Sequence, residues 1–221
     1  MIFKSVSFEY CIIRRILNFS VEKSINKGNK MKINKNDWNT YLNKDVLLKV
    51  YSVDSESDEF LLGYMDNDID SYYIFESIDE YGGLDGYILY KKDAILKIER
   101  DNDYIAVFDF YINYLKKRKA FDVLNLSAVY EKVPKNSIDS ILQYCYKSNP
   151  VITISQAESE ICPTGKIISL NEKEVSLDRK RYRNDFGIEQ EAEDAPISIS
   201  DILTVDITTK ETYLYQKYLE K

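Results

Sequence analysis

Two stretches, "GYMDNDIDSYYIFESID" from Gly63 and "GKIISLNEKEVSLDRKRY" from Gly165, hold the same place in two successive runs of elements. Each opens on a glycine, continues as strand-like sequence with a polar interruption, and leads further on to an "IL" pair. An internal repeat constrains a fold more tightly than composition does, because one supersecondary unit must then serve twice and pack beside its own copy.

The remaining elements fall into the same order. The first run opens with "NDWNTYLNKD", where Trp38, Tyr41 and Leu42 have helical spacing, and continues into the β-branched "VLLKVYSV". The second opens with "KNSIDSILQYCYKSN", which sets Ile138, Ile141, Leu142 and Cys145 on one helical face; Pro150 stops that helix before "VITISQA". Gly63 and Gly165 then align at a strand where a side chain would obstruct a sharp bend. "YYIFESID" and "EVSLDRKRY" are expected as third strands, "YILY" and "ISIS" as fourth strands, and "DAILKI" and "SDILTV" as a tight turn with a short fifth strand. Each run closes on a helix. In "DYIAVFDFYINYLKK", Tyr104, Val107, Phe108, Tyr111, Ile112 and Leu115 follow the helical period. In "TTKETYLYQKYLEK", Thr208 and Glu211 form a capping-box pattern ahead of Leu214, Tyr215, Tyr218 and Leu219.

The expected fold class is therefore α+β, mostly β. Residues 31–115 form one unit, 135–221 its tandem copy, and 116–134 a linker whose "AFDVLNLSAVYEKV" reads equally as helix or strand. A helix followed by five short strands resembles the Sm-like barrel, a strongly bent SH3-like sheet with a helix across one end. The resemblance covers most of 31–115 and again of 135–221. Five strands of this length must curl to bury one face, and a helix can cap the open end. The family commonly binds RNA through an aspartate-to-asparagine loop after the second strand and an Arg-Gly turn before the fifth. The corresponding loops here read "DNDIDSYY" and "LNEKEVS", and the turns "KKDAILK" and "ISDILT", so the residues of that ring pocket are not matched. The resemblance also implies open sheet edges that pair between subunits, and hence a protein partner or self-association.

Several function classes are excluded or disfavoured. The chain contains no histidine, which removes Cys/His zinc sites and the Ser-His and Cys-His nucleophile pairs. Asp66, Asp68 and Asp70 have calcium-loop spacing, but Ser71 and Ser77 stand where such a loop needs glycine and glutamate. No catalytic, cofactor-binding or metal-binding residue is expected, and the protein is read as non-enzymatic. A net charge of −7 argues against generalised attraction to phosphate backbones. Cys11, Cys145 and Cys162 include no CxxC pair and suit a reducing cytoplasm. Two basic clusters remain. "KKRK", Lys116 to Lys119, follows a helix C-terminus, where cations suit the dipole. In "DRKRYR", a strand would place Arg179, Arg181 and Arg183 on one face, with Lys180 and Tyr182 on the other. That row is the best candidate contact patch. The expected function is a bacterial cytoplasmic binding or scaffolding module with a protein partner or self-association; the rival is weak nucleic-acid binding through the arginine row.

Residues 1–30 carry six basic and two acidic residues, and their apolar run is too short and too charged to span a membrane. "KGNKM" can be encoded as a ribosome-binding sequence just ahead of an initiating Met31, so 1–30 are read as a spurious leader. A chain beginning at Met31 is expected to melt at the temperature of the full chain in scanning calorimetry. Peptides from "SVSFEYCIIR" in a digest of the native protein would contradict that reading.

Overall fold

The structure, a computed structural model, describes residues 41–42, 45–52, 60–100, 102–157, 159, 162–187 and 195–221. Residues 1–30 and most of the first expected helix lie outside them. Ten strands follow in chain order: β1 (Leu48–Ser52), β2 (Leu61–Ile69), β3 (Tyr72–Ile78), β4 (Leu84–Lys91), β5 (Ile95–Glu99), β6 (Val151–Gln156), β7 (Thr164–Leu170), β8 (Glu174–Asp178), β9 (Ile197–Ser198) and β10 (Ile202–Thr209). The helices are α1 (Asp103–Lys117), α2 (Leu126–Tyr130), α3 (Ile138–Ser148), α4 (Lys180–Phe186) and α5 (Lys210–Leu219). The strands form one open antiparallel sheet in the order β5-β1-β2-β3-β4-β10-β6-β7-β8-β9.

Within that order the fifth strand of each segment returns to the first: β5 pairs β1, and β10 pairs β6. The registers agree in detail. Leu48 faces Gly63 in one segment and Ile152 faces Gly165 in the other. A bulge follows two residues after each glycine, at Met65/Asn67 and at Ile167/Ser169. A second bulge lies where Ser52 meets Ile95 and where Gln156 meets Ile202. A one-turn 3₁₀-helix, Lys92–Ala94 or Ile199–Asp201, precedes each returning strand.

Both glycines sit where the backbone of the neighbouring strand approaches closely. A Cβ on Gly63 would lie 2.0 Å from the Glu76 carbonyl oxygen, and one on Gly165 would lie 2.1 Å from that of Asp178. Backbone atoms cannot move aside as a side chain can, so neither position admits even a methyl group without opening the sheet.

The two segments meet at β4 and β10, where Thr204 faces Tyr90, Asp206 faces Ile88 and Thr209 faces Gly86. This seam makes β4 and β10 internal strands, and β3 and β4 have both faces covered. Tyr73, Phe75, Ile88 and Tyr90 join Leu48, Val50, Met65 and Ile95 in one core. Their alternate neighbours Tyr72, Ile74, Tyr87 and Leu89 enter a larger core with Leu126, Tyr130, Ile141, Leu142, Ile152 and Val205. The segment 116–134 supplies α2, whose Leu126 and Tyr130 fill the space between the halves. The side chain of Asp122 holds the start of α2 by accepting from the Leu126 and Ser127 amides at 2.7 and 2.9 Å.

Helix ends follow the local sequence. Asn102 caps α1 by accepting from the Ile105 amide at 3.0 Å, and Ser137 and Ser140 form a reciprocal capping box on α3. Asn149, left-handed at φ 56°, closes α3 directly before Pro150. The α5 capping box uses Thr209 and Thr212, not Thr208 and Glu211. The shift follows from β10, which keeps Thr208 and Thr209 in register with Tyr87 and Gly86 up to the helix.

Two strand expectations are corrected. The third strand of the second segment ends at Asp178, and "KRYRNDF" is the helix α4. The fourth strand of that segment contracts to Ile197–Ser198, because Ile199–Asp201 already form the 3₁₀ turn. Gly63→Ala and Gly165→Ala are each expected to lower stability by about 2 kcal/mol or more, through overpacking against backbone. Urea unfolding midpoints measure this, and wild-type midpoints in either variant would contradict the account.

Candidate functional site

The arginine row does not exist as a strand face. Arg179 is the residue ahead of α4, is only 8% exposed, and donates through a guanidinium nitrogen to the Ala195 carbonyl at 3.0 Å. Arg181 is exposed and lies 3.7 Å from Asp185 one turn on. Arg183 is half-buried, and its amide donates to the Arg179 carbonyl at 3.0 Å. On a helix the three point in different directions, so strand spacing no longer relates them to successive phosphates. What organises α4 is its apolar side. Tyr182 and Phe186 pack on Tyr215 of α5, with ring centroids 4.8 and 5.5 Å away. The Tyr182 hydroxyl donates to Glu211, and the Tyr215 hydroxyl to Asp185 at 2.8 Å.

The three aspartates of "DNDID" also separate. Asp66 accepts from the Tyr130 hydroxyl at 2.5 Å, Asp68 pairs with Lys92 at 2.5 Å, and Asp70 occupies a left-handed turn position whose carbonyl accepts from the same lysine. Among the described residues no group of three or more potential ligand side chains could hold a metal ion.

Beside Asp66 lies a buried polar cluster that the sequence did not reveal. Tyr87 and Tyr130 stack face to face at 3.8 Å. The Tyr87 hydroxyl donates to Glu76 at 3.2 Å and lies 3.1 Å from the Ser127 hydroxyl. Burial, reinforced by nearby Asp66 and Glu76, raises both phenols well above the ordinary tyrosine value of 10.0. They therefore stay protonated as donors and tie β2, β3, β4 and α2 together, which is a structural role.

The "KKRK" cluster ends α1, with Lys116 over the rings of Tyr64 and Phe121 at 5.4 and 4.8 Å and Arg118 over Tyr114 at 5.2 Å. Ile105, Phe108 and Ile112 of α1 are buried against Leu47, Leu62, Tyr64 and Ile78. The opposite face of the same helix is also apolar: Val107 is 48%, Phe110 66% and Tyr114 49% exposed. Phe110 and Tyr114 stack with centroids 6.3 Å apart. Tyr81, 73% exposed, stands on the β3–β4 hairpin, where Gly82 (φ 85°) brings the turn against α1; a Cβ there would meet the Tyr111 Cβ at 2.7 Å. An open depression of about 480 Å³, lined by Asp45, Asn102, Asp103 and Asp109 with Leu47 and Ile105, lies at the N-terminal end of the helix. Among the described residues no helix is long and apolar enough to cross a membrane. The outer face of α1 is thus a contiguous aromatic surface bounded by acidic residues at one end and basic residues at the other, and it is the candidate site.

No protein-family model matches the chain, and neither a curated protein nor a solved structure matches it.

The interior sets a pH limit. Burial favours the neutral phenol and pushes Tyr64 and Tyr72 up to about 12 from an ordinary 10.0. Stability from such groups is complete below about pH 10, where the unfolded chain is also protonated, and is lost between about pH 10 and 12 as unfolded tyrosines ionise. The phenolate absorbance of the buried tyrosines is expected to rise cooperatively with loss of near-ultraviolet circular dichroism above pH ~10. A gradual rise with the dichroism intact would contradict this. The Cys145 thiol, likewise pushed up to about 12 by burial, should resist thiol reagents until the chain unfolds.

Proposed function

We propose that the chain is a non-catalytic bacterial protein of the cytoplasm, built from two Sm-like units fused edge to edge, that acts as a binding or scaffolding module. The tandem reading is supported by the paired registers: Leu48 with Gly63 against Ile152 with Gly165, and Ser52 with Ile95 against Gln156 with Ile202. On that reading the β4–β10 seam stands in for the contact that Sm-like subunits make between separate chains. The binding role rests on one observation, the outer face of α1, where Phe110 keeps 66% of its surface in water. Covering a phenylalanine is worth roughly 1.5–3 kcal/mol, so a helix that holds one outward beside Val107 and Tyr114 has a strong drive toward a partner.

A second reading, weak nucleic-acid binding, draws on Arg181, which stays exposed on α4 although Arg179 does not. The two readings are separated by replacing Phe110 with a photoreactive benzophenone amino acid in the native host and irradiating the cells. A cross-linked protein band, whether another protein or the chain itself, is the expected outcome. Cross-linked RNA or DNA would promote the second reading, and no product of either kind would overturn the first.

A further inference from the structure

We infer that the partner of the α1 face is a second copy of this chain, bound helix to helix in antiparallel order about a two-fold axis at Phe110. This deepens the reading of α1 as a binding surface and rests on it. The row turned directly away from the core is Asp103, Val107, Phe110, Tyr114 and Lys117, spaced four, three, four and three residues. That alternation is the seam spacing of paired helices. Ile105, Phe108 and Ile112 fill the opposite side, so the row faces outward over the whole 15-residue helix.

The row is complementary to itself when reversed. Phe110 is its midpoint, seven residues from Asp103 and seven from Lys117. An antiparallel copy centred there sets Phe110 against its equivalent, Val107 beside the copy's Tyr114, and Asp103 beside the copy's Lys117. A two-fold contact requires this: every residue meets its mirror position, so a row acidic at one end and basic at the other pairs favourably only when antiparallel. The surroundings carry the same asymmetry. Asp45 and Asp109 line the depression at the Asp103 end, and Lys116, Arg118 and Lys119 stand at the Lys117 end. A parallel arrangement would oppose like charges at both ends and align the two helix dipoles, which repel. The hydroxyls of Tyr114 and Tyr111 stay at the rim, where a wet edge suits them, while the apolar ring of Phe110 takes the centre.

Sedimentation equilibrium of the full chain from about 1 to 500 µM tests the inference. The mass is expected to double across that range. Phe110→Asp, at an exposed position, is expected to keep the monomer's circular dichroism and melting temperature but abolish the doubling. Asp103→Lys alone and Lys117→Asp alone each make two repulsive pairs and should weaken association about tenfold. Mixing the two single variants should restore it, because their heterodimer regains both opposite-charge pairs; so should the double variant. A chain that stays monomeric throughout, or a dimer indifferent to these changes, overturns the inference. If a different host protein is nonetheless cross-linked at position 110, the binding role survives and only the identity of the partner falls. If nothing is cross-linked either, both fall.

Discussion

The pairing of β4 with β10 is the interaction on which the rest of the structure depends. Each five-stranded segment alone has two open edges, and an open edge is a row of unmatched amides and carbonyls ready to pair with another chain. Joining the edges at this seam removes one from each segment and turns β4 and β10 into interior strands, with β3 one strand further in. Their sequences, "YYIFESI" and "LDGYILYK", are apolar on both alternations, which suits a strand covered on both faces and would be a liability on one facing water. The seam has a steric condition of its own. A Cβ on Gly86 would lie 2.3 Å from the Thr208 carbonyl oxygen, so the close approach of β10 depends on glycine there. Links across the seam add to it: the Tyr72 hydroxyl donates to the Ile202 carbonyl at 3.0 Å, and Lys210 pairs with Asp79, whose carboxylate also organises the β3–β4 turn through the Tyr81 and Gly83 amides. The two outer edges are protected differently. β9 is only two residues long, and β5 carries the charged pair Lys97 and Glu99.

Legibility in the sequence tracked how far the deciding interaction lay along the chain. The helix α1 was read to its residue limits because the 3.6-residue period and the lysines of its last turn are local. Gly63 and Gly165 were located because a glycine inside a strand carries positional meaning, and both prove to be held against backbone. The helix α4 was missed because "DRKRYR" sets an arginine at every second position, the period of a strand. Two signals pointed the other way, Tyr182 and Phe186 one helical turn apart and Gly187, left-handed at φ 63°, just after. Their weight comes from Tyr215, 33 residues after Tyr182 and 29 after Phe186, whose ring they pack against, and no local pattern reports it. The continuous sheet was hidden for the same reason. Nothing in "YILY" or "DILTV" tells a strand that ends a barrel from one that continues into a neighbour. The stripe read on α1, from Tyr104 to Leu115, mixes buried Phe108 and Ile112 with exposed Val107 and omits Phe110 and Tyr114, because the sequence could not show which apolar face of the helix the core would take.

The tyrosines connect these points. The chain has 19, and where they stand matters more than their number. Tyrosine can fill a core only if each buried hydroxyl finds a partner, and here the partners lie in other elements. Tyr72 reaches β10, Tyr87 and Tyr130 join the sheet to α2, Tyr182 reaches α5, and Tyr215 reaches α4. The same side chain therefore contributes apolar area and directional links between elements, and at Tyr72 between the halves, which an isoleucine could not do. On α1 the logic reverses. Tyr104, Tyr111 and Tyr114 stand outward with rings that can face either water or a partner, so their exposure alone decides nothing. Phe110 differs because it has no hydroxyl to satisfy. A phenylalanine two-thirds exposed at the centre of a helix, flanked by Val107 and Tyr114 at seam spacing, gains nothing from water and only from cover. The apolar burial that fills the cores on both sides of β3 and β4 is thus left incomplete on the outer face of α1, in the row centred on Phe110.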